Sequence, residues 1–190
     1  GSESCVFELS GVKMGLLICE DAWFERPAQK AKEAGAQLLL VLNASPFHVG
    51  KGLEREVQMG QRVQNCGLPL VYAHLVGGQD EDIFEGRSFA LNAKADVVAR
   101  APAFQECMPT ITVDSTAVEG QLNITGTLAS GGGSWQEDLW HALVLGIRDY
   151  LGKNGFPGAL LGLSGGIDSA LVLALAVDAL GADKIHAVMM

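Results

Sequence analysis

The sequence predicts an α/β protein in two parts, and three observations support this fold class. Apolar runs of strand length alternate with helix-length stretches near both ends of the chain. A Gly/Ser-rich stretch, TGTLASGGGS at residues 125–134, lies between the two parts and is the best linker candidate. Of the 190 residues, 48% are hydrophobic and 18% are charged, so the chain can bury a core. We therefore expect one or two folded domains.

The first part opens with a strand, a helix and a second strand. VKMGLLIC at residues 12–19 is typical of a buried strand, and residues 26–35 predict a helix that stops at a glycine. QLLLVL at residues 37–42 is continuously apolar, as in a strand that is buried on both faces. The short spacing between the two strands predicts that they run parallel.

A second helix is predicted at residues 52–66, where Gly67 ends it. Glu54, Arg55 and Glu56 are expected to form a solvated face of this helix. Its apolar positions are Leu53, Val57 and Val63.

Strands and turns are predicted to complete the first part. Residues 68–76 predict a strand in which His74 points into the sheet, and GGQD at residues 77–80 predicts a turn. Short, antiparallel strands are then expected near Phe84 and at residues 88–92, 97–100 and 110–113.

The second part begins with a predicted amphipathic helix at residues 135–153, where we expect the two parts to pack. A strand at residues 159–163, a loop at 164–168 and a helix at 169–180 follow, and a further strand begins at 184–190. An open parallel sheet needs more strands than these, so we expect this segment to begin a larger domain. The helix predicted at residues 135–153 has apolar residues at four-residue spacing, namely Trp135, Leu139, Leu143, Ile147 and Leu151.

The string LSGGIDS at residues 163–169 connects the predicted strand to the helix. Gly165 and Gly166 allow the backbone to approach a ligand closely, and the helix amides that begin at Ser169 favour an anion such as phosphate. The alternative is an ordinary strand-to-helix turn that is capped by Asp168 or Ser169. The string is not a Walker A loop.

This string resembles the pyrophosphate loop of the N-type ATP pyrophosphatases. Together with LGIRDY at residues 145–150 and KNGF at residues 153–156, it resembles the opening of bacterial NAD synthetase domains. The resemblance implies a Rossmann-type, adenine-nucleotide α-hydrolase-like parallel sheet domain. It also implies ATP as a substrate and Mg²⁺ as a cofactor whose ligands lie mostly outside this chain. The ATP-binding residues that it implies are Gly162, Leu163, Ser164, Gly165, Gly166, Ile167, Asp168 and Ser169.

Cys19 ends the first apolar strand. From residue type alone it is either a nucleophile on a strand-to-helix elbow or a buried structural cysteine, and the second is the commoner case. However, GLLICEDAW at residues 15–23 resembles the nucleophile segment of the nitrilase superfamily. NASPFHVGK at residues 43–51 and the segment at residues 77–89 resemble the glutaminase domain of NAD synthetases.

The resemblance implies that Cys19 is the nucleophile, and that Ser45 and Lys51 bind the substrate glutamine. The other two members of the Glu–Lys–Cys triad are expected upstream of this chain, because Lys13 lacks the family context. The implied architecture is the C-terminal portion of a nitrilase-like αββα sandwich at residues 1–124, a linker at 125–134 and the start of a synthetase domain at 135–190.

The whole chain therefore resembles the central piece of the glutamine-dependent NAD synthetases. That family hydrolyses glutamine and uses the ammonia to amidate ATP-adenylated nicotinic acid adenine dinucleotide, which gives NAD, AMP and pyrophosphate. A homo-oligomer is also implied. Two alternatives stay open: another nitrilase-linked, ATP-dependent amidotransferase, or a non-catalytic packing module when these residues stand alone.

Composition limits the remaining function classes. A net charge of −9 argues against non-specific nucleic-acid binding, which needs basic patches. The four cysteines form no CxxC pair and the four histidines show no zinc-ligand spacing, so no metal site is predicted within the chain. This cysteine usage favours a reducing, cytoplasmic compartment. No apolar run reaches the roughly 18 residues of a membrane span, so no membrane partner is expected.

Overall fold

The computed structural model describes residues 3–115, 122–130 and 133–190. In the first part the strands are β1 (Cys5–Leu9), β2 (Val12–Ile18), β3 (Leu38–Asn43), β4 (Leu70–His74), β5 (Val76–Gln79), β6 (Asp82–Glu85), β7 (Phe89–Leu91), β8 (Val97–Arg100), β9 (Ile111–Asp114) and β10 (Asn123–Gly126), and the helices are α1 (Glu25–Glu33) and α2 (Lys51–Cys66). In the second part the elements are α3 (Trp135–Lys153), β11 (Ala159–Leu163), α4 (Ile167–Leu180) and β12 (Ile185–Met189).

A six-stranded mixed sheet forms the centre of the first part, in the order β1-β2-β3-β4-β7-β8. The strands β2, β3 and β4 run parallel, as the strand–helix–strand pattern predicts, and the others pair antiparallel. The apolar run of β3 sends alternate side chains to opposite faces. Leu39 and Val41 join the core that α1 and α2 cover, whereas Leu38 and Leu40 pack on the other face.

The strands β9 and β10 form a two-stranded ribbon that packs on the second face of the sheet. Ile124 is completely buried there against Ala90 and Ala99. The ribbon extends into the predicted linker, because β10 includes Thr125 and Gly126 and because Leu128 bridges to Arg100. Residues 125–126 of the predicted linker therefore belong to a strand. Residues 131–132 of the linker lie outside the described residues, and the domain boundaries stay a prediction.

A hairpin of β5 and β6 stands apart from the main sheet, in a segment for which the sequence predicts a turn. That prediction is wrong for residues 77–79, which belong to β5, and the turn lies at residues 80–81. Strand formation at this diglycine is favoured by packing on α3. A Cβ atom added to Gly78 would lie 3.2 Å from both the Cβ atom of Asp149 and the Cα atom of Gly146.

Helix α3 has the predicted bounds and begins with a capping box, in which Ser134 accepts a hydrogen bond from the Glu137 amide. It contacts the β5–β6 hairpin on one side and α4 on the other, as expected for the helix that joins the two parts. Its predicted apolar stripe is not its buried face. Ala142 and Leu145 are buried, while Trp135, Leu139 and Leu143 are exposed.

The second part continues as β11, α4 and β12, and the two strands pair in parallel. Helix α4 begins two residues earlier than predicted, so that Ile167 and Asp168 belong to its first turn rather than to a loop. Gly166 is extended and precedes the helix, and an acidic residue in the first turn interacts favourably with the helix dipole.

All four cysteines are free, and Cys66 is the one buried in the core. Across the described ranges, no helix combines the length and the apolar character that crossing a bilayer requires.

Candidate functional site

Cys19 occupies a sharp elbow at the carboxyl end of β2. It begins a short 3-10 helix (Cys19–Trp23), and its φ of 49° lies in the left-handed region that non-glycine residues rarely adopt. The Asp21 carboxylate accepts a hydrogen bond of 3.1 Å from the Ile18 amide and closes the turn. Since the side chain is only partly buried, Cys19 fits the elbow interpretation rather than that of a core cysteine.

An open cleft of about 450 Å³ adjoins Cys19 at the carboxyl ends of the three parallel strands. Its lining is mostly apolar, as is typical of small-molecule sites. The lining residues are Ile18, Cys19, Leu42, Asn43, Ala44, Ala73, His74 and Leu75.

Lys51 lies close to the same elbow, at the first position of α2. Its Nζ is 4.4 Å from the centroid of the Trp23 ring, and Trp23 ends the 3-10 helix that Cys19 begins. The same Nζ forms an ion pair of 2.9 Å with Glu54. The fold thus brings Lys51 next to the helical turn that carries Cys19.

Ser45 lies in the loop between β3 and α2, where two side chains hold it. Its Oγ accepts hydrogen bonds from Asn43 Nδ2 at 2.8 Å and from Arg55 Nη2 at 2.9 Å. The partly buried Ser45 therefore has a defined orientation at the sheet edge that also carries Cys19.

The sequence prediction of a solvated face at Glu54, Arg55 and Glu56 is wrong for two of these residues. Arg55 is 2% exposed and forms a buried ion pair with Glu85. Glu56 forms a bidentate ion pair with Arg100. The available signal was helical spacing, which places Arg55 on the buried face of α2 with Met59, Arg62, Val63 and Cys66.

His74 points into the interior, as predicted, and lies beside the cleft. Its Nδ1 donates a hydrogen bond of 2.7 Å to the Leu75 carbonyl. Burial, reinforced by the positive charge of Arg55, lowers the pKa of His74 to about 4, so the imidazole is neutral at pH 7. Burial also raises the pKa of Tyr72 and that of the Glu85 carboxyl. The positive charge of Arg55 partly offsets both increases.

The predicted phosphate loop lies between β11 and α4, on a sheet separate from that of Cys19. Gly165 has a φ of 81°, which favours glycine, and a Cβ atom added there would meet nothing within 4 Å. The Ser169 hydroxyl donates a hydrogen bond of 3.0 Å to the Gly166 carbonyl and lies 3.2 Å from Ser164 Oγ. The loop is open above its glycines, and all of its predicted residues are at least partly exposed.

The predicted loop residues do not complete a site for Mg²⁺. Asp168 is the only carboxylate among them. Nowhere in residues 3–115, 122–130 and 133–190 do three or more His, Cys, Asp or Glu side chains form a group that could hold a metal ion.

Comparison with known proteins supports both halves of this arrangement. The family model described as carbon-nitrogen hydrolase matches residues 1–120. The chain belongs to the carbon-nitrogen hydrolase family. Beyond this carbon-nitrogen hydrolase region, the family model described as NAD synthase matches residues 139–190. The two matches lie on either side of the predicted linker and confirm the predicted fold class.

Several relatives share both regions and are similar over essentially the whole chain. The glutamine-dependent NAD(+) synthetase of Xanthomonas campestris pv. campestris is 43% identical over 98% of this chain, and that of Rhodobacter capsulatus is 43% identical over 100%. The structure of glutamine-dependent NAD+ synthetase from Acinetobacter baumannii in complex with ADP covers the whole chain at 39% identity, with a TM-score of 0.92. The chain spans 33%, 34% and 35% of these three proteins, respectively. These matches confirm the family resemblance.

Proposed function

We propose that this chain is the central part of a glutamine-dependent NAD synthetase. The observation that supports the proposal most directly is that one chain joins the Cys19 elbow to an open LSGGIDS loop. Proteins that carry this name resemble the chain across both features. The activity, substrates and partners below are proposed for the whole protein.

In the proposed glutaminase step, the Cys19 thiolate attacks the side-chain amide carbon of glutamine and forms a thioester as ammonia leaves. The Lys51 ammonium would contribute positive charge to the glutamine site, and Ser45 a hydroxyl. Water then hydrolyses the thioester to glutamate and frees the thiol. The glutamate base and the lysine of the triad are expected upstream, as the resemblance implies.

In the proposed synthetase step, the residues from Gly162 to Ser169 bind the phosphates of ATP through backbone amides and the serine hydroxyls. The nicotinate carboxylate of nicotinic acid adenine dinucleotide attacks the α-phosphorus of ATP, and pyrophosphate leaves. Ammonia then displaces AMP to give NAD. Mg²⁺ would neutralise phosphate charge when bound, with ligands mostly outside this chain.

The remaining expectations stay predictions for the whole protein. A homo-oligomer is expected from the family resemblance, and a cytoplasmic location from the cysteine usage. Neither nucleic acid nor a membrane is expected as a partner.

The proposed function is tested with Cys19→Ala in the whole protein, and the exposed Cys107→Ala serves as the matched control. NAD formation from nicotinic acid adenine dinucleotide and ATP is measured with glutamine and, separately, with ammonium. We expect Cys19→Ala to lose the glutamine-dependent reaction and keep the ammonium-dependent one, because only the nucleophile is removed. Activity with glutamine in Cys19→Ala would exclude Cys19 as the nucleophile. An unsubstituted protein that is inactive with both nitrogen sources would refute the proposed function.

A further inference from the structure

The side chain of Arg55 reaches from the buried face of α2 to the loop that carries Ser45. Its Nη2 donates hydrogen bonds to two atoms of that residue, the carbonyl oxygen at 3.3 Å and Oγ at 2.9 Å. Its Nη1 forms the ion pair with Glu85, and both of these side chains are 2% exposed. One guanidinium therefore connects the serine loop to the end of β6, away from solvent.

These contacts determine which hydrogen-bonding role is left to Ser45. A hydroxyl has one proton to donate and two lone pairs that accept. Both lone pairs of Ser45 Oγ are engaged, one by Arg55 and one by Asn43 Nδ2 at 2.8 Å. The hydroxyl proton is the part that remains for a ligand, so Ser45 can offer a donor and needs an acceptor oxygen opposite it.

Glu85 holds Arg55 in this position. It is buried at the end of β6 and lies close to the first turn of α2, since a Cβ atom added to Gly52 would be 3.7 Å from Glu85 Oε1. A planar guanidinium can bind a carboxylate on one side and a hydroxyl and a carbonyl on the other, which an ammonium cannot reproduce with the same geometry. Arg55 is thus suited to orienting Ser45, which directly follows Asn43 and Ala44 of the cleft lining; neither Arg55 nor Ser45 is itself a lining residue.

We infer that Arg55, held by Glu85, is a positioning residue that presents the Ser45 hydroxyl as a hydrogen-bond donor to a carbonyl or carboxylate oxygen of the substrate. The inference rests on the proposed function, since it takes glutamine as the ligand of Ser45. Without the guanidinium, the hydroxyl can rotate and donate to its own loop, and the loop loses one of its two anchors.

The test compares Arg55→Lys with Arg62→Lys in the whole protein. Arg62 is the matched control because it also lies on the buried face of α2 and pairs with an acidic residue, Glu25, at 3.7 Å. We expect Arg55→Lys to raise the KM for glutamine about tenfold, with a smaller change in kcat, because the substrate is held less well. The ammonium-dependent rate should stay unchanged, and Arg62→Lys should leave both parameters near those of the unsubstituted protein.

A double-mutant cycle with Ser45→Ala separates positioning from general damage to the fold. If Arg55 acts through the Ser45 hydroxyl, Arg55→Lys should add little to the KM of a protein that already carries Ser45→Ala. Fully additive effects, or an Arg55→Lys protein that behaves like Arg62→Lys, would overturn the inference.

Glu85→Gln provides a second variant, because it keeps the side-chain shape and removes the charge that holds Arg55. It should also raise the KM for glutamine with the ammonium-dependent rate preserved. Loss of both activities in Arg55→Lys and in Glu85→Gln would assign the pair to folding alone and overturn the inference. An unsubstituted protein that makes no NAD from either nitrogen source would overturn the proposed function itself, and the inference with it.

Discussion

The neutral, buried His74 makes the stability of the protein depend on pH in a defined direction. Burial lowers the pKa of His74 from 6.5 to about 4 in the folded state. Between these two values the unfolded chain binds a proton at this residue and the folded chain does not. Lowering the pH through this window therefore favours unfolding. At pH 7 and above the penalty is absent, because both states are neutral.

The magnitude follows from the size of the pKa shift. One pKa unit corresponds to about 1.36 kcal/mol, so acidification to pH 4 should reduce the free energy of unfolding by about 3 kcal/mol through His74 alone. Little discount for solvent screening applies, because His74 is only 8% exposed. Glu85 acts in the opposite direction, since its folded pKa is raised and the folded state takes up a proton first.

The assay is urea unfolding of the whole protein and of His74→Asn at several pH values from 8 to 4. Asparagine does not titrate, and its Nδ2 can take the place of the Nδ1 donor to Leu75. Any contribution from Glu85 is common to both proteins, so the difference between their pH dependences reports His74. The same substitution at the exposed His48 controls for the loss of a histidine as such. Equal losses of stability in the unsubstituted protein and His74→Asn on acidification would refute the argument.

Two further predictions concern Gly166 and Asp149 in the second part of the chain, each with a matched control variant. Gly166→Val should abolish NAD formation from glutamine and from ammonium alike, because its side chain would project into the open loop. Gly152→Val, where an added Cβ meets nothing within 4 Å, is the control, and unchanged ammonium-dependent activity in Gly166→Val would exclude the phosphate-loop assignment. Asp149→Ala removes the acceptor of a 2.8 Å hydrogen bond from the Gly78 amide and should lower the free energy of unfolding by about 1.5 kcal/mol. Asp149→Asn keeps an acceptor oxygen and should retain most of that stability. Equal thermal midpoints for the two Asp149 variants would contradict this role of the carboxylate.

The sequence alone predicted those elements whose boundaries are set by residues next to them in the chain. Helix α3 has its predicted bounds because Ser134 and Glu137 form a capping box. Strand β11 also matches its prediction, and the elbow at Cys19 follows from an apolar strand that ends abruptly in acidic residues. The strand β1 went unpredicted because its exposed residues form a strand only through pairing with β2.

Charged residues inside the first part were not predictable from type alone, because their burial depends on partners far along the chain. Arg55 and Glu85 are 30 positions apart in the sequence. They are in contact because the β5–β6 hairpin places Glu85 close to the first turn of α2. An arginine between two glutamates on a helix is ordinarily solvated. Helical spacing alone contradicted that interpretation, since Met59 and Cys66 lie on the same face.

The buried pair of Arg55 and Glu85 fixes the geometry around Ser45 more than it stabilises the fold. Desolvation of two charges consumes most of their mutual attraction, so a buried ion pair is weak evidence for a contribution to stability. Removing one partner is nevertheless costly, since the other charge remains buried without compensation. The pair therefore restricts α2, β6 and the Ser45 loop to one relative arrangement while contributing little net stability. At the carboxyl ends of β2, β3 and β4, beside Cys19, such a restriction is what a site needs when it must hold a substrate amide in one orientation.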